Sequence, residues 1–307
     1  MLTSHEIAIS IYEEALEIFA RRVGRVFVSA TAVEPLTTDI LQSSKNLALP
    51  QSSRSDLEGL YPLISVMGGL HQQEMRRYYH PQRISTEETI VLPQESISPD
   101  LETMYDAVWL QCNREYQTFT ASTDRHVQEA NLHALLQRYT WAMPAPDAND
   151  VSLFDYARVC AAVAVCLSAS ENRSEPPVLL VGGDVSGVQE WLYTFSSRGA
   201  AKSLRGRSFY LQLLSEVIAQ YILDTLDLPS ANLLYAGGGN FYLLAPPIVA
   251  DKIPELRRDI SQRMLTMHEG SLYVVIAAAE MTTDMLTGQN EQDVGMHGAP
   301  LDNSLGD

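Results

Sequence analysis

Ten residues, Ser168 to Pro177 (SASENRSEPP), divide this 307-residue sequence into two stretches of different texture. Charge, serine and a proline pair make the segment a poor helix and a poor strand, and so the best place for a domain boundary. Before it, apolar residues recur at helical spacing. After it, short apolar runs are punctuated by glycines. The length suits two domains of ~150 residues, each able to bury a core.

In the first stretch, Ile7, Ile11, Ala15, Leu16 and Phe19 form the stripe of an amphipathic helix from Thr3 to Arg22, and Thr3 with Glu6 fits a capping box. The serine-rich runs LQSSKN and PQSSRSD and a passage holding Pro81, Pro93 and Pro99 read as loops between short elements. Helical spacing returns from Leu101 to Gln117, from His126 to Tyr139, and from Ser152 to Ser168, where Ser152 is placed to cap.

In the second stretch, Val178 to Val181 reads as a buried strand entering a tight turn at Gly182 and Gly183. A helix is expected from Ser208 to Leu226, and Leu233 to Tyr235 with Phe241 to Leu244 flank a glycine turn in a hairpin. A second helix from Ile253 to Met267 and a strand from Leu272 to Ala277 complete the series. The expected fold is therefore α+β: a mostly helical domain over residues 1–172, a ferredoxin-like βαββαβ domain over 173–286, and a polar, flexible tail over 287–307. Strand order alone does not define function, because this framework hosts many.

Composition narrows the classes. No apolar run approaches the ~20 residues needed to span a bilayer, and the opening MLTSHEIAISIYEE lacks the marks of a secretory signal, so a cytoplasmic protein without membrane contact is expected. Cys112, Cys160 and Cys166 are odd in number and contain no C-x-x-C pair, which favours buried free thiols. A formal net charge of -17 repels a phosphate backbone, so any nucleic-acid contact must use a local basic patch or a partner.

Three segments carry candidate chemistry. The first is Gly182-Gly183-Asp184-Val185-Ser186-Gly187, where a tight turn and a phosphate-contacting turn are both open readings; it matches neither a Walker loop nor G-x-G-x-x-G. The second is the hairpin tip Gly237, Gly238, Gly239 and Asn240. A two-metal phosphoryl-transfer site needs carboxylates on such neighbouring segments; Asp184 supplies one, and the tip supplies none. The third is the basic loop from Arg198 to Arg207, whose Lys202, Arg205 and Arg207 suit either phosphate oxygens or an acidic neighbouring surface. His71 and His80 beside Tyr78 and Tyr79 fit no common metal spacing and read as packing. His126 and His133, seven apart on one helical face, read as structural.

The blocks GGDVSGVQEWLY, AAKSLRGRSFYLQLL and NLLYAGGGNFYLLAP, in that order, closely resemble the first Palm domain of the type III CRISPR large subunit, the Csm-type polymerase/cyclase. LLQRYTWAMPAP and VSLFDYARVCAAVAVCL resemble the segments that precede that Palm. The resemblance implies an antiviral, crRNA-guided complex that senses target RNA. Its large subunit carries an HD nuclease acting on single-stranded DNA, two Palms that together bind ATP, and a GGDD motif that makes cyclic oligoadenylate. Carried over, it implies nucleotide contact at Gly183, Asp184, Ser186, Gly187, Gly238, Gly239 and Asn240, with phosphate or RNA contact at Lys202, Arg205 and Arg207. Asp184 is then the metal ligand, and ATP with Mg2+ or Mn2+ the implied cofactors.

Departures matter equally. The sequence contains no His-Asp dipeptide and no GGDD, and Tyr156 stands where the family often has histidine, so no catalytic residue is assigned. The expectation is a reduced, split or fragmentary large subunit with a degenerate HD region. Its expected partners are crRNA and target RNA through the complex, other Csm-type subunits, and a second chain carrying a GGDD Palm. A stand-alone nucleotide cyclase or polymerase and an ATP-sensing regulator outside CRISPR are the alternatives.

Overall fold

The computed structural model describes residues 2–49, 62–64, 77–85, 91–119, 122, 124–146, 148–169, 177–193 and 200–287. The boundary segment at 170–176, Arg198, His71 and the tail beyond 287 lie outside them.

The helical half is built from α1 (Ser4–Arg22), α2 (Thr38–Ala48), α3 (Leu101–Phe119), α4 (Arg125–Thr140) and α5 (Leu153–Ser168). Two small antiparallel pairs accompany them, β1 (Leu63–Ile64) with β2 (Tyr78–Tyr79) and β3 (Pro144–Ala145) with β4 (Ala148–Ser152). Thr3 and Glu6 form the expected capping box, and Ser152 caps α5 by accepting from the Asp155 amide. The Ser-rich LQSSKN, expected as loop, is helical within α2. Gln42 and Asn46 lie outward, Ser44 is buried with its hydroxyl donating to the Leu41 carbonyl, and Ile40 and Leu41 pack on the core, so tertiary burial overrides weak local propensity. Buried Glu13 on α1 fixes the loop after that helix by accepting from Ser29, from Thr31 at 2.8 Å and from Tyr116 at 2.5 Å.

The second half runs β5 (Val178–Ser186), α6 (Val188–Tyr193), α7 (Ala200–Leu226), β6 (Leu233–Gly237), β7 (Asn240–Ala245), α8 (Ile253–His268), β8 (Tyr273–Met281) and a short α9 (Thr283–Thr287). Its four-stranded sheet has order β6-β7-β5-β8 with every neighbouring pair antiparallel, the doubled split βαβ connectivity expected from the sequence.

Two expectations are corrected here. Gly182 and Gly183 are not a turn: β5 runs through them to Ser186, hydrogen-bonded to β7 on one side and β8 on the other. Glycine is needed for packing instead, because a Cβ on Gly183 would lie 2.0 Å from Phe241 Cζ. The chain bends at Gly187, where φ is +84° and a Cβ would meet the Ser271 carbonyl oxygen at 2.4 Å. Nor are Lys202, Arg205 and Arg207 on a loop, since α7 begins at Ala200 and includes all three. Lys, Arg, Leu and Ala propagate the helix readily, and one internal glycine, Gly206, does not stop it.

Alternation along β5 sorts its residues by face. Leu179, Val181 and Val185, with Phe241, Leu243, Val274 and Ile276, are buried in a core shared with Leu214, Ile218, Leu256 and Ile260 of α7 and α8. On the opposite face, Val178 and Leu244 pack against Ala162, Val163, Cys166 and Leu167 of α5. Helix α5 therefore covers only one end of that face. At the other end Asp184, Tyr242, Tyr273 and Val275 remain exposed. Cys112, Cys160 and Cys166 are buried and free, as expected, and burial pushes each thiol up, Cys160 to about 12. Among the described residues no helix is long and apolar enough to cross a membrane.

Candidate functional site

The uncovered end of the sheet gathers two of the three candidate segments. Asp184 sits directly opposite Asn240 on β7 and Val275 on β8, so its carboxylate and the Asn240 amide project from the same face as neighbours. Ser186, two residues on, points the same way and donates to Asp184 Oδ2 at 3.0 Å. The group so formed is one carboxylate, one amide and one hydroxyl on an open surface.

The hairpin tip is a two-residue turn at Gly238 and Gly239, whose φ values of +63° and +96° are those a tight antiparallel hairpin requires. It is braced from two sides. The Val185 amide donates to the Gly239 carbonyl at 2.8 Å, and Gln212 on α7 accepts from the Gly238 amide at 3.3 Å while donating to the Ala236 carbonyl at 3.3 Å. Nothing in the sequence marks Gln212 for this role, because its target lies on a strand pair that forms only in the fold.

The basic residues divide into two kinds. Arg207 donates to the Trp191 carbonyl and lies over the Trp191 ring, with 5.0 Å from guanidinium carbon to ring centroid. Trp191 stacks at 5.4 Å on Tyr210, whose hydroxyl contacts His268 Nε2 at 3.0 Å, so Arg207 belongs to a chain of rings joining α6, α7 and α8. Burial raises the Tyr210 pKa and lowers that of His268, which favours the neutral pair. Lys202 and Arg205 are exposed on the preceding turns. Gln212 is level with the hairpin tip, so at ~1.5 Å per residue Arg205 stands roughly 10 Å further along the axis, beyond the tip. The third segment thus runs past the tip on the sheet face that α7 covers, opposite the face that carries Asp184.

Gly183 and Gly187 are accounted for by Phe241 and Ser271, and Gly238, Gly239 and Asn240 form the tip. The histidines of the helical half behave differently from one another. His133 is buried against Tyr12, Nδ1 to hydroxyl 2.7 Å, and burial pulls its pKa down to about 4. His80 is buried, and its Nε2 accepts from the Ser98 amide at 3.1 Å. His126, expected as structural, packs its ring against His5 at 3.8 Å and lies 3.9 Å from Asp227.

Residues 177–298 match the family model for Csm1 subunit domain B. Over those residues the chain is similar to Csm1. It is 32% identical over 190 residues to the CRISPR system single-strand-specific deoxyribonuclease Cas10/Csm1 (subtype III-A) of Methanocaldococcus jannaschii, covering 49% of this chain and 24% of that protein. The protein of the same name from Mycobacterium tuberculosis is 32% identical over 181 residues, covering 52% of this chain and 22% of the other. The chain therefore spans about a quarter of the length of those relatives. Among solved structures, a Csm1-Csm4 cassette in complex with cA4 superposes with a TM-score of 0.69 over 92% of this chain and 45% of that one, at 21% identity. The cassette in complex with one ATP gives the same score over 91% and 44%, at 20% identity. The likeness in fold thus takes in the helical half as well as the sheet.

Proposed function

We propose that this chain supplies the first Palm of a type III, Csm-type RNA-guided effector, and that Asp184 needs acids from a second Palm, in the same protein or on another chain, to form an active centre. The observation that carries the proposal is the register of Asp184 against Asn240, a lone carboxylate with an amide where a second acid would be needed. Two divalent cations a few ångströms apart require several protein oxygens of negative charge, and this face offers one. The donor set suits contact with a nucleotide and at most one cation.

On this reading Asp184 is the single metal ligand, for Mg2+ or Mn2+ bound with ATP. Ser186, with the backbone of Gly187, Gly238 and Gly239, borders the phosphates, and the Asn240 amide offers a neutral donor beside them. Bound Mg2+ neutralises phosphate charge; the chain's own part is to hold the triphosphate against an open sheet on which a second Palm closes. Lys202 and Arg205, exposed beyond the tip, meet phosphate or RNA oxygens as charge-assisted donors. The helical half is a degenerate HD region: the sequence has no His-Asp dipeptide, and Tyr156 is buried in α5. Other Csm-type subunits and crRNA complete the assembly. Relatives solved as Csm1-Csm4 cassettes, with one ATP and with AMPPNP, support the partner and nucleotide classes.

The test is reconstitution with a Csm4-type subunit and a GGDD-bearing Palm, followed by titration with ATP and Mg2+. The complex is expected to form, and Asp184→Asn to weaken ATP about tenfold, equal to ~1.4 kcal/mol. No association on size-exclusion chromatography, or unchanged affinity in the variant, contradicts the proposal.

A further inference from the structure

We propose that His5, His126 and Asp227 form a divalent transition-metal site of the Zn2+ class, which clips the C-terminal end of α7 to the N-terminal turns of α1 and α4. Among the described residues, these three side chains are the group whose ligand atoms all lie within 4.8 Å of one another. Each comes from a different element. His5 is in the first turn of α1, His126 in the first turn of α4, and Asp227 immediately follows α7. The backbone is arranged to keep Asp227 there. Its φ is +55°, unusual for a residue with a side chain, and its carbonyl accepts from Ser4 Oγ at 2.6 Å.

The distances favour an ion over a direct contact. His5 Nδ1 and His126 Nε2 are each 3.9 Å from the same oxygen, Asp227 Oδ1. That is too long for a hydrogen bond, which ends near 3.2 Å. Two ligands at ~2.0–2.1 Å from one tetrahedral ion are about 3.3 Å apart, so each histidine–aspartate pair must close by about 0.6 Å, while the two ligating ring nitrogens lie within 4.8 Å of one another. The two imidazole rings are also in contact, with centroids 3.8 Å apart. Two imidazolium ions would repel at that distance, whereas two neutral rings sharing a cation would not.

The carbonyl end of the α7 dipole favours a cation here, while the amide ends of α1 and α4 oppose it. Two imidazoles and one carboxylate are a borderline donor set suited to Zn2+, Co2+ or Ni2+, with a fourth position left for water. Asp124 caps α4 through the His126 and Val127 amides, and so steadies one ligand without joining the set.

The experiment uses the untagged chain, stripped with chelator and titrated with Co2+ and then Zn2+. One equivalent of cobalt is expected to give the visible absorption of a four-coordinate ion and to be displaced by zinc. His126→Ala and Asp227→Ala, both at exposed positions, are each expected to lower the affinity at least tenfold, and zinc is expected to raise the Tm of the wild type but of neither variant. Unchanged circular dichroism in the variants shows that the loss is one of ligands and not of fold. Cobalt binding with unchanged stoichiometry and affinity in both variants, or no saturable binding below millimolar metal, overturns the proposal.

Discussion

Gly183 shows why a residue's role is sometimes legible only after its neighbours are known. From the sequence it belongs to a glycine turn that is either structural or phosphate-contacting; in the fold it is the space into which the Phe241 ring fits, 2.0 Å from where a Cβ would stand. Gly183→Ala is expected to destabilise the chain by about 3 kcal/mol, read as a drop in the midpoint of urea unfolding. Gly238→Asn, by contrast, places a residue that tolerates positive φ in a turn with no atom within 4 Å of a new Cβ, and its effect should stay within about 0.5 kcal/mol. Glu129 carries a pH signature. Burial raises its pKa from 4.5 to about 6, even though it accepts from the Ser230 amide and hydroxyl. The folded state then keeps a proton that the unfolded chain releases, so this group's contribution falls as pH rises from 4.5 through 6. Glu129→Gln removes that loss: its stability relative to wild type should increase by about 2 kcal/mol between pH 4 and pH 8. A pH-independent difference would contradict it.

Among the elements, those with local signals were legible. Helices α1 and α5 announce themselves by caps and an apolar stripe, and the β6–β7 hairpin by glycines between apolar runs. Those fixed by partners were not. β5 continues past its glycine pair because β7 and β8 hold it on both sides. Helix α7 starts two turns earlier than its apolar pattern because Arg207, Trp191 and Tyr210 tie that end to α6. The same chain of rings separates the basic residues by experiment. Arg207→Ala is expected to speed amide exchange across Val188–Tyr193 by an order of magnitude or more. Arg205→Glu should leave that exchange unchanged while weakening binding of RNA or nucleotide in the assembled complex. Equal exchange rates in both variants would return Arg207 to the role of a solvated cation.

At the scale of the molecule, the division visible in the sequence is one of texture and not of core. Buried residues from Ile7 to Ile276 form one continuous cluster, and a second joins α5 to the sheet. The helical half therefore serves as a wall: α5 covers one end of the sheet face and leaves the end that carries Asp184, Ser186 and Asn240 open. The lone carboxylate was legible in advance because a missing acid is a fact of composition, whereas the convergence of His5, His126 and Asp227 was not, since only the fold brings three such distant positions together. The most direct test of the central claim is incubation of the purified chain alone with labelled ATP and Mg2+ or Mn2+, followed by chromatography of the products. The account predicts unreacted ATP. A cyclic or linear oligoadenylate formed by this chain alone, and lost in Asp184→Asn, would contradict it.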